Sequence, residues 1–330
     1  MKIGFPRALF YFDYFPFWFG FFRQLGIEVV TSPPTNRKIM ELGLKAASDE
    51  TCLPIKLLSG HIQVLKDVDA IFLPRIVSVE EATYCCPKFL GIPESLSLPA
   101  EVPVLTVTLN WRKGEYRVIR ELEKFGDILG RTKADVYEGY LEGQRQQRKF
   151  NTLRCAGWDF EKSIDEIECS SGNGSISDLL VETKALKIAL VGHSYLTQET
   201  YANLNLLKKL REKVEVELIQ HVEPEKIQAN QEGLRKKLFW SHAKQIFGAC
   251  NQFIADKEID GIIYLTCFGC GTDSMVQELL ARRARESHKP YMVITLDEHS
   301  GEAGVVTRLE AFLDMVERRK GHEGYLSTYG

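Results

Sequence analysis

A chain of 330 residues is too long for one domain of ordinary size and suits two. At 44% hydrophobic and 26% charged residues it is globular rather than disordered, and a net charge of −3 supplies no concentrated basic face for nucleic acid.

In chain order, residues 2–5 form a short apolar run. The strongly aromatic stretch 10–22 follows, and Asp13, Pro16 and Gly20 interrupt it. It falls short of the ~20 apolar residues of a membrane span, and no small-x-small cleavage site comes after it. A heavily buried first helix is expected there, with no membrane segment and no export signal. That points to a reducing, cytoplasmic setting in which eight cysteines serve metal or redox roles before disulfides. Further apolar runs lie at 27–30, 69–73 and 104–110, and a helical stretch at 53–65 begins just after Cys52. From 131 to 185 this rhythm stops; 134–148 reads as a polar helix and 170–175 as a flexible Ser/Gly loop. Apolar runs then return at 187–191, 214–219, 260–264 and 291–297.

The two series match. Lys187 lies 185 residues after Lys2, Asp260 lies 191 after Asp69, and Thr295 lies 187 after Thr108. Short apolar runs alternating with amphipathic stretches indicate βαβ units and parallel sheets. The expected fold is therefore α/β: two similar Rossmann- or flavodoxin-like parallel-sheet domains from an internal duplication, facing each other across a cleft. Residues 1–130 and 186–330 form the domains, and 131–185 a helical and loop connection. Such sheets bind ligands beyond the carboxyl ends of their strands.

Three cysteine segments fall in turns between strand-like and helix-like stretches: Cys52 before Leu53-Pro54, Cys85-Cys86 before Pro87, and Cys267-Phe268-Gly269-Cys270-Gly271. Thiolates gathered from several loop tips suit a soft iron or zinc centre. Cys270 and Cys52 each stand before a helix start, whose N–H groups favour a thiolate. Lys56 and Lys88 are placed to offset cluster charge. Other accounts stay open. Cys267 and Cys270 alone could be a thioredoxin-like dithiol, four of the thiols a structural zinc site, or the whole set core hydrophobes. Cys250, in the helical run 242–253, is a core residue on this reading, and Cys155 and Cys169 are incidental thiols. Phosphate-binding glycine motifs are missing, so any nucleotide hydrolysis falls to another protein. Glu298 and His299, directly after the last apolar run, and Arg75, after the third, are candidate substrate-orienting or proton-supplying groups, with Ser78 and Glu80 of similar standing. His61 carries no readable signal.

At these residues the chain resembles the acyl-CoA dehydratase activase-related family, relatives of the 2-hydroxyacyl-CoA dehydratase subunits and of double-cubane cluster proteins. Ile3-Gly4-Phe5-Pro6-Arg7, Ser32-Pro33-Pro34-Thr35-Asn36, Cys52-Leu53-Pro54-x-Lys56, Pro74-Arg75-Ile76-Val77-Ser78, Cys86-Pro87-Lys88-Phe89, Phe268-Gly269-Cys270-Gly271-x-Asp273-Ser274 and Leu296-Asp297-Glu298-His299-x-Gly301-Glu302 carry the resemblance. It implies a [4Fe–4S] cluster held by Cys52, Cys86 and Cys270, with Cys267 and Cys85 as candidate additional ligands. A double-cubane [8Fe–9S] cluster is the alternative, and zinc a lesser one. It further implies a partner, an ATP-hydrolysing activase of the sugar kinase/actin superfamily, that delivers low-potential electrons for reduction of a small-molecule or acyl-CoA substrate in anaerobic metabolism. The alternatives are a 2-hydroxyacyl-CoA dehydratase-type lyase subunit and a non-enzymatic zinc or scaffold protein.

Overall fold

The computed structural model describes residues 1–169, 184–232, 234 and 236–326; the loop expected at 170–175 lies outside them. Residues 1–169 with 236–244 form one compact unit, and the described residues of 184–234 with 245–326 form a second.

The first unit is built on strands β1 (Lys2–Phe5), β2 (Glu28–Thr31), β3 (Ala70–Phe72), β4 (Arg75–Ser78), β5 (Val104–Leu105) and β6 (Thr108–Asn110). Four of them form an all-parallel sheet in the order β2-β1-β3-β5. The single run expected at 104–110 divides into β5 and β6, and the run at 69–73 continues past a break as β4. Pro74 has no N–H to give the ladder. The parallel pairing nonetheless carries on through Leu73 N–H to Leu105 O and Arg75 N–H to Val107 O, both 2.9 Å, into the β4–β6 pair.

The aromatic stretch is the helix Tyr11–Gln24. It is apolar on nearly all sides because it is covered on nearly all sides. Trp18 and Phe22 meet Phe72 of β3 edge-on at 4.5 and 4.9 Å between ring centres. Elsewhere around its circumference lies the helix Lys133–Cys155, the one legible at 134–148, which starts with a Thr132–Asp135 capping box. Gly143 makes this crossing close, since a Cβ there would lie 2.7 Å from the Phe17 carbonyl oxygen. The polar helix of the connecting segment is thus part of the first unit's core.

The second unit contains β7 (Lys187–Gly192), β8 (Glu215–Leu218), β9 (Gly261–Cys267) and β10 (Tyr291–Leu296), parallel throughout in the order β10-β9-β7-β8. All seven residues of β9 are buried, as expected of a central strand covered on both faces. Written from the first strand of each, the two sheets have one order: second, first, third, fourth. A shared detail accompanies it. Lys2 N–H donates to the Asp69 carboxylate (2.7 Å), and Asp69 N–H donates back to Lys2 O (2.9 Å). Lys187 and Asp260 repeat both bonds at 2.8 Å.

Candidate metal centre

Cys52, Cys86 and Cys270 each occupy the residue that opens a helix. Cys52 caps Leu53–Val64, Cys86 caps Pro87–Leu90, and Cys270 caps Gly271–Glu286. Proline stands in the first turn of the first two helices, where its fixed φ suits the turn, and Pro87 also holds Cys86, directly before it, extended. Cys86 is accordingly at φ −52° and ψ 138°. The Cys270 turn is set differently: Gly269 sits at φ +76°, a conformation that a side chain disfavours.

Cys270 has the most developed surroundings. His193 follows β7 directly and Cys270 follows β9, so adjacent strands present both at their carboxyl ends. Donor atoms of His193, Cys270 and Asp273 lie within 4.8 Å of one another. His193 Nε2 donates to Asp273 Oδ1 at 2.9 Å, and the ring stacks on Tyr195 with centres 4.7 Å apart. Tyr264 Oη donates to Asp273 Oδ1 (3.2 Å) and Thr266 Oγ1 to Asp273 Oδ2 (3.0 Å). Asp273 is fully buried, and these donors together with the His193 charge hold its carboxyl below the usual range against the penalty of burial. Burial works against a charged His193, but Asp273 and the Cys270 sulfur carry its pKa up to about 10. The hydrogen bond from Cys267 and then the imidazolium bring Cys270 down to about 5 in spite of its own desolvation. The result is a thiolate at neutral pH beside a protonated histidine. Of the three donors, the Cys270 sulfur is the soft ligand suited to an iron or zinc centre, and His193 and Asp273 lie beside it in one hydrogen-bonded set.

In the first unit the Cys52 and Cys86 segments are tied together: Lys88 Nζ, two residues past Cys86, donates to the carbonyl of Glu50, two residues before Cys52, at 3.4 Å. Lys56, one turn into the helix that Cys52 opens, is 2% exposed and donates to Asp49 O at 2.9 Å. Cys85 differs from its neighbour. Its side chain is fully buried, and desolvation pushes its thiol up to about 12 although Ser241 hydrogen-bonds it. Burial likewise raises the thiol of Cys250. Cys267 closes β9 with its side chain buried against Cys270.

Arg75 donates through Nε to Ile92 O (2.9 Å) and pairs with Glu94, holding the loop after the short Cys86 helix. His299 is exposed; its N–H and the Ser300 hydroxyl both donate to Asp297 Oδ1 (3.0 and 2.9 Å), a turn leading into the helix Glu302–Leu326. Glu298 is half-buried in the same turn. His193 went unread in the sequence. The signal available was its place in the turn after the first strand of the second series, at the edge where such sheets gather ligands.

Two parallel α/β sheets, with helix-capping cysteines and a buried carboxylate–imidazole–thiolate set, define a class of cysteine-bearing α/β proteins. The model of the CoA enzyme activase uncharacterised domain matches residues 2–221, and the chain belongs to that family. Residues 196–316 match the 2-hydroxyglutaryl-CoA dehydratase D-component, a stretch that includes Cys267, Cys270 and Asp273. A search of curated proteins found no match. Among the described residues no helix is long and apolar enough to cross a membrane.

Proposed function

We propose that this chain is the iron–sulfur component of a dehydratase-type system, in which Cys52, Cys86 and Cys270 hold one [4Fe–4S] cluster. The observation that carries the reading is the Cys270 sulfur placed within 4.8 Å of the buried His193–Asp273 pair, on a chain whose other two expected ligands also open helices. The donor set fits the group: thiolate sulfur is the ligand such clusters take, and each of the three sulfurs belongs to the residue that opens a helix. The proposal includes the requirement that both units bring their cysteine turns to one cluster, as copies of one plan facing each other across a cleft. The shared strand order and the repeated Lys–Asp bonds support the duplication.

Such a cluster, held by Cys52, Cys86 and Cys270, would supply a one-electron donor and acceptor. The chain's own residues do the rest. Asp273 keeps His193 charged, His193 and Cys267 hydrogen-bond the Cys270 sulfur and so set how much negative charge it carries, and Lys56 and Lys88 place positive charge beside the Cys52 and Cys86 turns. Glu298, His299 and Arg75 are proposed as substrate-orienting groups. An ATP-hydrolysing activase of the sugar kinase/actin superfamily is the proposed electron source, in the cytoplasm. Phe268, 73% exposed, and Met275, 63% exposed, flank Cys270 in sequence and offer an apolar surface for it.

The match to the dehydratase D-component favours a second reading, in which this chain is itself a lyase subunit acting on an acyl-CoA. Iron and acid-labile sulfide analysis with Mössbauer spectroscopy on oxygen-free protein tests the first. About four irons per chain are expected, about eight would mean the double-cubane alternative, and zinc without sulfide would overturn the iron–sulfur reading. Dehydration of a 2-hydroxyacyl-CoA by the reduced protein would select the lyase.

A further inference from the structure

The second unit gathers soft donors of its own. Cys267 ends β9 and Cys270 opens the next helix, and the hydrogen bond between their side chains sets the two sulfurs side by side. His193 directly follows β7, the strand paired with β9, and hydrogen-bonds the Cys270 sulfur. Two thiols and an imidazole therefore meet at the carboxyl ends of adjacent parallel strands, and the set draws on the second unit alone.

The ring is held as a metal-binding histidine is held. Its Nε2 donates to Asp273 Oδ1 at 2.9 Å, and a carboxylate on one ring nitrogen leaves the other to turn its lone pair to a cation. Asp273 is fixed in turn, since Tyr264 Oη donates to the same oxygen at 3.2 Å and Thr266 Oγ1 to the other at 3.0 Å. With three donors upon it, this carboxylate orients the histidine and does not itself ligate. Stacking on Tyr195, with 8° between the ring planes, sets the remaining freedom of the imidazole. Access is short: Cys270 is half-buried, and exposed Gly269 and Gly271 on either side have no side chain to cover its sulfur.

We infer that Cys267, Cys270 and His193 bind one zinc-type divalent cation in the cluster-free chain, with Asp273 orienting the histidine. Thiolate and imidazole are the donors that zinc takes, and three protein ligands leave a fourth position to water or another ligand. The ion takes the place of the hydrogen that the ring and the Cys270 sulfur now share. Because the site needs neither Cys52 nor Cys86, it stands whether or not those residues complete a cluster. Where they do, cation and cluster compete for Cys270, and a bound cation keeps the cluster out.

Cobalt(II) is the probe, because four-coordinate cobalt absorbs in the visible and each thiolate ligand adds charge-transfer absorption. The full chain, stripped of metal by a chelator and kept reduced without oxygen, is titrated with cobalt(II) and then with zinc(II). A single cobalt per chain should bring up both absorptions with a Kd of about 1 μM or tighter, and zinc should displace it. Cys270→Ala should abolish binding, Cys267→Ser should cut the charge-transfer intensity by about half, and His193→Gln should weaken cobalt about tenfold or more. Cys52→Ala and Cys86→Ala should titrate as the wild type does. Three results would each overturn the site: no charge-transfer absorption in the wild type, full intensity in Cys267→Ser, or unchanged affinity in a folded His193→Gln protein. Loss of binding in Cys52→Ala would overturn it as well, by assigning the ion to the cluster cysteines. An iron–sulfur protein that takes no cobalt once stripped ends this inference and leaves the cluster standing. A cobalt site in a chain that never yields iron and sulfide does the reverse.

Discussion

Among the described residues two buried histidines, His61 and His193, have opposite charge states. His61, in the Leu53–Val64 helix of the first unit, faces Ser32 Oγ at 2.8 Å and Thr35 Oγ1 at 2.9 Å. Desolvation, then the charge of Arg7, pushes it down to about 3, so it is neutral. His193 in the second unit is nearly as inaccessible, at 5% exposed, yet it is charged because it faces Asp273 and Cys270. Burial alone therefore does not decide the state of either ring. Hydroxyls leave the desolvation penalty standing, and a carboxylate with a thiolate more than offsets it. One histidine rigidifies a core, and the other conditions a sulfur.

Asp273→Asn attacks the contrast most severely. It removes the charge on which His193 and three hydrogen bonds depend, and urea unfolding should register a loss of about 3–5 kcal/mol. A change under about 1 kcal/mol would mean that the ion pair is not formed. The pH dependence of stability should show the second-largest effect, through His61. Its folded pKa of about 3 lies below the ordinary 6.5, so the unfolded chain binds the proton first as pH falls. The contribution of neutral His61 is complete above about pH 6.5 and is lost toward about pH 3, at up to about 1.4 kcal/mol per pH unit. Denaturant unfolding at pH 6.5 and about pH 5 should therefore show wild type losing about 2 kcal/mol more than His61→Gln.

His193→Gln should release the Cys270 thiol from the imidazolium while the bond from Cys267 remains. In metal-free protein, iodoacetamide alkylation of Cys270 should lose its half-rate point near pH 5 and move toward the ordinary thiol range. An unmoved profile would assign the thiolate to Cys267 alone. The smallest expected change is that of Gly269→Ala, a strain of about 1–2 kcal/mol at φ +76°. It should appear as a lower melting temperature with the Cys270 alkylation profile retained.

Much of the fold was legible. The second series of apolar runs became β7 to β10 nearly as read; the central strands β7 and β9, buried along nearly their whole length, leave continuous apolar runs, and the edge strands β8 and β10 keep enough apolar residues to show. Lys2–Asp69 and Lys187–Asp260, whose similar offsets led to the expectation of a repeat, form equivalent hydrogen bonds in each sheet. The division at Pro74 and between β5 and β6 was less legible, since short runs do not reveal where a ladder changes assignment. The helix at 134–148 was visible as polar, but its partner was not. Small residues such as Gly143 that admit a neighbouring backbone carry no hydrophobic signal.

At the site, the helix-opening positions of Cys52, Cys86 and Cys270 follow from local grammar, proline or glycine beside a turn. What separates Cys85 from Cys86 does not: adjacent residues on an extended segment point to opposite sides, and only the packed structure shows that Cys85 is the one turned inward. His193 and Asp273 lie 80 residues apart, and nothing local announces that they pair.

The most direct test of the central claim is iron content after anaerobic purification of single cysteine variants. Cys52→Ala, Cys86→Ala and Cys270→Ala should each lose the brown chromophore and bound iron, while Cys155→Ala and Cys169→Ala retain both. Equal retention, or equal loss, in all five would contradict a cluster held by the three helix-opening sulfurs.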